Sequence, residues 1–476
     1  MQDRLQYLRK NGLACMLLVL FVLASCSPNV FPEIAEPTST QIQVNTLVHT
    51  ATPAPKTPTA TSTPILAAMD VDPDELAGVI VRFAHPWVGE KAEMLERLAR
   101  EFTKTNPWGI HVQAYPHGGE TALVNSVMQL PDDDLPTVIA VPAYLRSELM
   151  NGKPAVNLHA YFNHPDWGFS LEEREDFTPV FLTSFDAEDQ VSTLPFAPQA
   201  TVLFYNRSWG QALGFPEAPH DLDAFRTQNC EATFTNWQDA AKGGTGGWVI
   251  NLDARVLVSW YYAFGGTFSK GEEPLFNNLA GRDAFGYLWE IKNQGCIWFA
   301  LNPNHQAYFA DRLALLYAGQ LDQIPTQMGW METAGNEDDW TVIGFPGPAG
   351  EQILVEGPEL FIMAGAPENE LAAWLFIKYL LAPEAQAKLV ESLFTLPVRE
   401  SALELLTKFK TDYPQWEQGT ALVDTANVLP VSEAWGLAQW PLQDAANRIL
   451  QDENGDVSSY LAQLDALILD LIDSSQ

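Results

Sequence analysis

The sequence is poor in cysteine and in basic residues. Only four cysteines occur among 476 residues, and no CxxC pair or cysteine–histidine cluster supplies the ligands of a zinc site. Lysine and arginine together number 26 against 60 aspartates and glutamates, which gives a net charge of −34. Phosphate binding needs a basic surface, so this balance argues against a nucleic-acid partner. It also disfavours adhesion to an anionic membrane through charge.

Motifs of common enzyme classes are missing as well. Gly-x-Ser-x-Gly, His-Glu-x-x-His and P-loop patterns do not occur. The glycine cluster at residues 242–247 is not followed by Gly-Lys-Ser/Thr and is interpreted as a turn. We therefore expect a protein that is not an enzyme and that needs no cofactor or metal. Carboxylates are abundant, so a secreted glycosidase stays an alternative. A carbohydrate-adhesion lipoprotein is the third possibility.

The apolar run near the N-terminus is too short to cross a membrane comfortably. It extends from Leu13 to Leu23, follows three basic residues, and ends in Leu23-Ala24-Ser25-Cys26. This pattern is typical of a secretory signal peptide. Small residues before a cysteine resemble a bacterial lipobox, so we expect removal of residues 1–25 and lipidation of Cys26. Cleavage nearby as an ordinary signal peptide is the alternative.

The remaining cysteines agree with export. Cys15 lies inside the predicted signal peptide, which leaves Cys230 and Cys296 besides the lipidated Cys26. An even pair in an oxidising compartment favours one disulfide between Cys230 and Cys296. Two separate free thiols are the alternative.

The segment after Cys26 has the composition of a tether. Residues 27–64 are rich in threonine, proline, alanine and serine, and they lack periodic apolar residues. Such a segment cannot form a packed core. We predict a disordered tether over residues 26–75 and a folded domain over residues 76–476.

The folded part opens with an α/β pattern. An apolar strand over residues 79–84 precedes an amphipathic helix from Glu90 to Thr105, and a second strand follows at residues 110–114. A strand-helix-strand unit is typical of a parallel sheet. In such sheets ligands bind beyond the carboxyl ends of the strands, where residues 85–89 and 142–145 lie. Both loops carry aromatic side chains.

One stretch indicates a passage between two structural units. Ser192–Asn206 reads STLPFAPQATVLFYN, in which Pro195 and Pro198 interrupt the start and an apolar, strand-forming run follows. We interpret it as the first crossover between two lobes, beside the binding site.

Four stretches occur in a set order along the chain. They are VRFAHPW with LERLAREFTKTNP, the crossover itself, KNQGCIWF with YFADRLALLYAG, and AAWLFIKYLLAPEAQAKLVESLFTLPVRESA. Taken together, they resemble the extracellular solute-binding proteins of family 1, the substrate-binding lipoproteins of bacterial ABC importers. The resemblance extends from about Val79 to Ile472.

The resemblance implies an α/β, periplasmic-binding-protein-like fold of two lobes joined by hinge strands. Lobe one would hold residues 76–195 and 358–400, and lobe two residues 200–355 and 400–476. It also implies capture of a carbohydrate or similar polar solute in the cleft by lobe closure, and delivery to the transmembrane subunits of an ABC permease. The expected protein is a monomer, lipid-anchored to the outer face of the cytoplasmic membrane.

By the same resemblance, ligand-binding candidates lie after strands and near the crossovers. They are His85, Trp87, Glu90, Tyr144, Phe196, Gln199, Trp248, Asp253, Trp260, Gln320, Asp322, Glu356, Gly357 and Arg399. Core packing is the alternative for Trp248 and Trp260, a salt bridge for Arg399, and a hinge backbone contact for Gln199. Departures from the family pattern, such as Gln320 to Asp322, leave the solute open. Glycerol-phosphate compounds are the second ligand class.

Overall fold

The computed structural model describes residues 70–145, 148–149, 153–182, 193–268, 273–300, 302–429 and 433–475. The predicted signal peptide, the lipidated Cys26 and the predicted tether up to residue 69 lie outside the described residues. Within the described residues, no helix is both long and apolar enough to traverse a lipid bilayer.

Twelve strands and seventeen helices are assigned within the described residues. The strands are β1 (Ile80–His85), β2 (His111–Pro116), β3 (Val138–Pro142), β4 (Leu194–Pro195), β5 (Gln199–Asn206), β6 (Trp248–Val249), β7 (Ile297–Trp298), β8 (Leu316–Gln320), β9 (Trp340–Ile343), β10 (Ile353–Glu356), β11 (Pro358–Ile362) and β12 (Ala426–Val428). The helices are α1 (Glu90–Thr105), α2 (Glu120–Met128), α3 (Leu158–Phe162), α4 (Leu171–Glu175), α5 (Arg207–Ala212), α6 (Leu222–Trp237), α7 (Ala254–Ala263), α8 (Leu279–Asn293), α9 (His305–Ala310), α10 (Ile324–Ala334), α11 (Pro367–Leu380), α12 (Pro383–Leu393), α13 (Ala402–Leu405), α14 (Thr407–Asp412), α15 (Pro414–Thr420), α16 (Glu433–Gln451) and α17 (Val457–Ser475).

The first sheet has the strand order β2-β1-β3-β11-β4. Strand β1 is parallel to both β2 and β3, whereas β11 runs antiparallel between β3 and β4. Helix α1 has the bounds predicted from its periodicity, and it buries Leu95, Leu98, Ala99 and Phe102. The predicted strand-helix-strand unit of a parallel sheet is thereby confirmed.

The second sheet has the order β12-β10-β5-β8-β6-β7, and β9 pairs with β5 outside this path. Its strands come from residues 199–356 and 426–428. The α6 residue Cys230 forms a disulfide with Cys296, which precedes β7. The disulfide therefore lies within the part of the chain that builds this sheet.

Two crossovers connect the sheets, and they lie side by side. The chain passes from β4 to β5 through residues 196–198, and it returns from β10 to β11 through Gly357. Pro195 lies opposite Glu359 on one side of the crossing, and Gln199 lies opposite Glu356 on the other. Two sheets joined by adjacent crossing strands confirm the predicted two-lobed α/β fold.

The folded part begins before the predicted residue 76. Val71 is buried, and Pro73–Leu76 forms a 3-10 turn that contacts α11. Leu76 is completely buried. The tether boundary at residue 75 was therefore too late by several residues, because Val71 before the turn and Leu76 at its end are both buried in the core.

The segment that follows lobe one's last helix contacts both lobes. Helix α13 packs against α12, while α15 packs against β9 of the second sheet. The indole nitrogen of Trp416 in α15 donates a hydrogen bond to the backbone oxygen of Thr395 at 3.0 Å. Residues 402–420 therefore connect lobe one with the second sheet.

Candidate functional site

A cavity of about 130 Å³ lies at the crossovers, between the two lobes. Its walls come from both lobes and from the crossing segments. The lining residues are Trp87, Lys91, Glu120, Ala197, Gln199, Arg255, Gln320, Asp322, Glu356, Gly357, Pro358, Leu393 and Thr395. We call this cavity, with its lining residues, the cleft.

The topology explains why these side chains meet. Trp87 and Lys91 follow the carboxyl end of β1, and Glu120 opens α2 after β2. On the other side, Gln320 ends β8 and Asp322 follows it. Loops at the carboxyl ends of strands are the usual place for ligands in α/β sheets.

Trp87 is the aromatic wall of the cleft. Its ring meets that of Phe196 edge-on, with centroids 5.9 Å apart, and lies 6.0 Å from the ring of His85. Phe196 and His85 are both fully buried. They therefore support Trp87 from behind and do not line the cleft.

An ion pair joins the lobes directly across the cleft. Lys91 Nζ in α1 donates to Asp322 Oδ2 of the second lobe at 3.0 Å. The two side chains are 38% and 26% exposed, so solvent screens the pair only in part. The pair favours the arrangement in which the lobes are close together.

Arg255 is held by two carboxylates of its own lobe. Its Nε donates to Glu356 Oε1, and its Nη1 lies 3.3 Å from Asp253 Oδ2. Asp253 also caps α7 by accepting a hydrogen bond from the Arg255 backbone at 2.9 Å. Gln320 Nε2 lies 3.4 Å from the same Glu356 oxygen. The cap and the ion pairs fix the guanidinium beside the second crossover.

Lobe one contributes a further carboxylate, Glu120. Tyr144 donates its hydroxyl hydrogen to Glu120 Oε2 at 2.9 Å. Burial raises the pKa of Glu120, although the hydrogen bond from Tyr144 and the charge of Arg255 act in the opposite direction. Burial also raises the pKa of Glu356. The charge of Arg255 lowers this pKa, whereas the charge of Glu120 raises it further. Two carboxylates thus line the same cavity.

The structure brings part of the predicted set together. Of the sequence candidates, those that line the cleft are Trp87, Gln199, Gln320, Asp322, Glu356 and Gly357. Tyr144 and Asp253 stand behind lining residues, to which they bond. Gln199 Nε2 is 3.4 Å from the Leu393 backbone oxygen, while its Oε1 has no protein partner.

Two predicted tryptophans belong to the core of the second lobe. Trp248 and Trp260 are completely buried, with ring centroids 5.6 Å apart, and both pack against Phe225. Trp248 lies in β6, which is covered by β7 and β8 on its two edges. Their assignment as ligand-binding residues was wrong, because no face of either ring reaches the cleft.

Arg399 and Glu90 are further corrections. Arg399 is 3% exposed, its Nε donates to Asp176 Oδ2 at 2.7 Å, and its guanidinium lies 4.6 Å from the ring centroid of Phe177. Arg399 therefore stabilises the interior of lobe one. Glu90 is exposed at the first position of α1 and does not line the cleft.

Sequence reasoning missed three charged residues of the cleft. Lys91 and Arg255 carry its ion pairs and Glu120 adds a carboxylate, yet none of the three stands in a recognisable motif. A position next to a strand end was the available signal, since Lys91 follows Trp87 and Glu120 follows Gly118-Gly119. Among the described residues, no group of histidine, cysteine or acidic side chains could hold a metal ion.

A cavity between two lobes that are joined by crossing strands defines the class of solute-binding proteins. The sequence profile of the bacterial extracellular solute-binding protein family matches residues 97–418, and the chain belongs to that family. The family resemblance seen in the sequence is thereby confirmed.

Solved structures share the fold. The cyclic α-maltosyl-1,6-maltose binding protein from Arthrobacter globiformis superposes with a TM-score of 0.69 at 14% identity, covering 82% of this chain and 99% of that one. MalE, the sugar-binding protein from Xanthomonas citri, gives 0.66 at 17% identity, covering 84% and 100%. UgpB from Mycobacterium tuberculosis, in complex with glycerophosphocholine, gives 0.65 at 16% identity, covering 84% and 100%.

Proposed function

We propose that this protein is the substrate-binding component of an ABC importer. It captures a carbohydrate or sugar-like solute in the cleft and delivers it to a membrane permease. The observation that carries the proposal is the composition of the cleft, whose walls come from both lobes at the two crossovers. A ligand there contacts both lobes and favours their closure.

The side chains of the cleft suit a polyhydroxylated ring. The face of Trp87 can cover the apolar C–H face of a sugar, while carboxylates and amides such as Asp322, Glu356 and Gln320 accept and donate hydrogen bonds to hydroxyls. A small set of polar groups beside an aromatic wall is typical of small-molecule sites. Structural neighbours that bind maltooligosaccharides by name support a carbohydrate ligand.

Entry of the ligand requires the lobes to separate. The cavity of about 130 Å³ is smaller than the roughly 300–1,000 Å³ of typical ligand pockets. The Lys91–Asp322 pair closes one side of it. Exchange between an open and a closed form, with the crossovers as hinges, is the mechanism that we propose.

The proposal includes export and anchoring. Residues 1–25 act as a lipoprotein signal peptide, and the lipidated Cys26 holds the protein at the outer face of the cytoplasmic membrane. The threonine- and proline-rich segment then acts as a tether. The protein works as a monomer, without a cofactor, and does not turn its ligand over.

A thermal-shift screen of the purified protein against mono- and oligosaccharides tests the proposal. A ligand at 100 times its Kd adds about 2.7 kcal/mol to the free energy of unfolding. Small-angle scattering should then show compaction with that sugar, and chromatography should recover the sugar unchanged. Conversion of the sugar would instead indicate an enzyme, and the absence of both binding and compaction across the panel would refute the proposal.

Gln199→Ala is the matching variant. It should weaken binding while leaving unfolding unchanged, because Gln199 Oε1 is an unused acceptor in the cleft wall. The exposed Gln238→Ala, at the end of α6, is the control and should bind as the wild type does. Equal affinities of the two variants would show that Gln199 does not bind the ligand and only connects the lobes.

A further inference from the structure

The charges around the cleft do not balance. Lys91 is matched by Asp322 at 3.0 Å. Arg255 serves two carboxylates at once, Glu356 and Asp253. Glu120 is then left over, and no lysine, arginine or histidine of the described residues lies within ion-pair distance of it. The cleft therefore carries more negative than positive charge.

Glu120 is also placed to meet a ligand. It lines the cavity, and among the described residues the hydrogen bond to its carboxylate comes from the uncharged hydroxyl of Tyr144. Arg255 influences Glu120 only through its charge, without a hydrogen bond. Burial raises the pKa of Glu120, as it does for a carboxylate held away from water, while the charge of Arg255 acts in the opposite direction. A cation arriving in the cleft would supply the ion-pair partner that Glu120 lacks.

Trp87 gives an independent indication of the same ligand chemistry. Its indole lines the cleft, and buried rings fix its position from behind. The electron-rich face of an indole attracts cations, most strongly where water is excluded. An aromatic face and an unpaired carboxylate in one small cavity form a complementary pair of walls for an ammonium group.

We infer that the captured solute carries a positively charged amino group, as an amino sugar does, and that Glu120 is the residue that pairs with this group. The inference rests on the proposed function and narrows its substrate class. Phosphate-bearing solutes are disfavoured, because both basic residues of the cleft are already paired and an anion would face the unpaired Glu120.

Calorimetric titration of the full protein with three sugars of similar size tests the inference. D-glucosamine carries the charge below pH ~7, whereas D-glucose and N-acetyl-D-glucosamine are neutral. The β-1,4-linked dimers of the same three units extend the set in case the ligand is longer. We expect each charged sugar to bind at least tenfold more tightly than its neutral counterparts.

Glu120→Gln then tests the negative charge by itself, because the amide oxygen of glutamine can still accept the hydrogen bond from Tyr144. It should lower the affinity for glucosamine at least tenfold more than it lowers the affinity for glucose, so that the preference for the charged sugar is lost. Glu90→Gln removes the same charge from an exposed position outside the cleft and should change neither value. Circular dichroism tests whether both variants fold. If Glu120→Gln does not fold, the preference of the wild-type protein for charged over neutral sugars decides the matter.

The outcomes separate the two proposals. Wild-type protein that binds glucose as tightly as glucosamine would overturn the inference while carbohydrate capture stands. The same holds if Glu120→Gln keeps the full preference for the charged sugar. If none of the six sugars binds but a neutral sugar of the screening panel does, the inference is overturned and carbohydrate capture stands. If no sugar of the whole panel binds, the proposed function fails together with the inference.

Discussion

Replacing Gly357 with alanine would place a methyl group between the two crossovers. A Cβ atom at this position would lie 2.8 Å from the Ala197 backbone oxygen and 2.8 Å from Pro198 Cα. Carbon atoms in comfortable contact are about 3.5–4.0 Å apart, so the crossing segments must separate by several tenths of an ångström. Overpacking of this kind costs about 1–3 kcal/mol. The loss of backbone freedom in the unfolded chain offsets about 0.4–1 kcal/mol of it.

Urea unfolding of Gly357→Ala measures this cost, and Gly365→Ala is the matched control. Gly365 lies in the loop after β11, has no atom within 4 Å of a built Cβ, and keeps its backbone bond to Glu370. We expect Gly357→Ala to lower the free energy of unfolding by about 1–2 kcal/mol. Gly365→Ala should leave it unchanged or raise it slightly.

The same pair of variants tests the hinge. Because the crossovers must twist when the lobes close, Gly357→Ala should weaken the binding of the sugar found in the screen at least fivefold. Ligand-induced compaction should shrink in parallel, whereas Gly365→Ala should behave as the wild type. Identical unfolding and identical affinity of the two variants would mean that the crossing segments are neither tightly packed nor mechanically coupled to the cleft.

Three further outcomes are expected. Lys91→Ala should raise the radius of gyration of the unliganded protein and weaken ligand binding about two- to fivefold, since a partly exposed ion pair contributes about 0.2–1 kcal/mol. The double variant Lys91→Ala, Asp322→Ala should have a radius of gyration little larger than that of Lys91→Ala alone. If the effects of the two substitutions simply added, the ion pair between the lobes would be contradicted. Arg399→Ala should lower the free energy of unfolding by about 1.5–3 kcal/mol in urea, because it removes a buried guanidinium that bonds to Asp176 and packs over two phenyl rings, while Asp176 keeps its hydrogen bonds from Ser401; a loss below about 1 kcal/mol would contradict a buried structural pair. Reduction of the Cys230–Cys296 disulfide, whose partners are 66 residues apart, should lower the free energy of unfolding by roughly 4 kcal/mol if the bond acts through loop entropy. Mass spectrometry under non-reducing conditions is the control that the bond is present.

The elements of the fold were largely predictable because their signals are local. The bounds of α1 follow from apolar residues at helical spacing, and Asn106-Pro107 ends it. The crossover was also visible, since Pro195 and Pro198 stand before a strand-forming run. These features depend on a few neighbouring residues, which the sequence shows directly.

The cleft was predictable only in part, because its chemistry is assembled across the lobes. Lys91 and Asp322 are 231 residues apart, and nothing near either of them in the sequence indicates the pairing. Trp87 and Trp260 look equivalent as candidates, yet one lines the cleft and the other fills the core. An indole satisfies both environments, so exposure decides between them, and exposure is a property of the folded chain.

The central place of β11 in the first sheet ties the completion of that sheet to chain far along the sequence. Strand β4 joins that sheet only through β11, and Thr193 beside β4 bonds to Glu359 of β11, which is 166 residues further along the chain. Pairing at such separation is slow, because the loop entropy is lost before the contacts form. The first sheet therefore lacks β4 until the return strand at residues 358–362 is in place, although β1, β2 and β3 can pair before that. The second sheet needs chain from still further along, since its edge strand β12 pairs with β10. Neither lobe can be completed from the part of the chain that begins it.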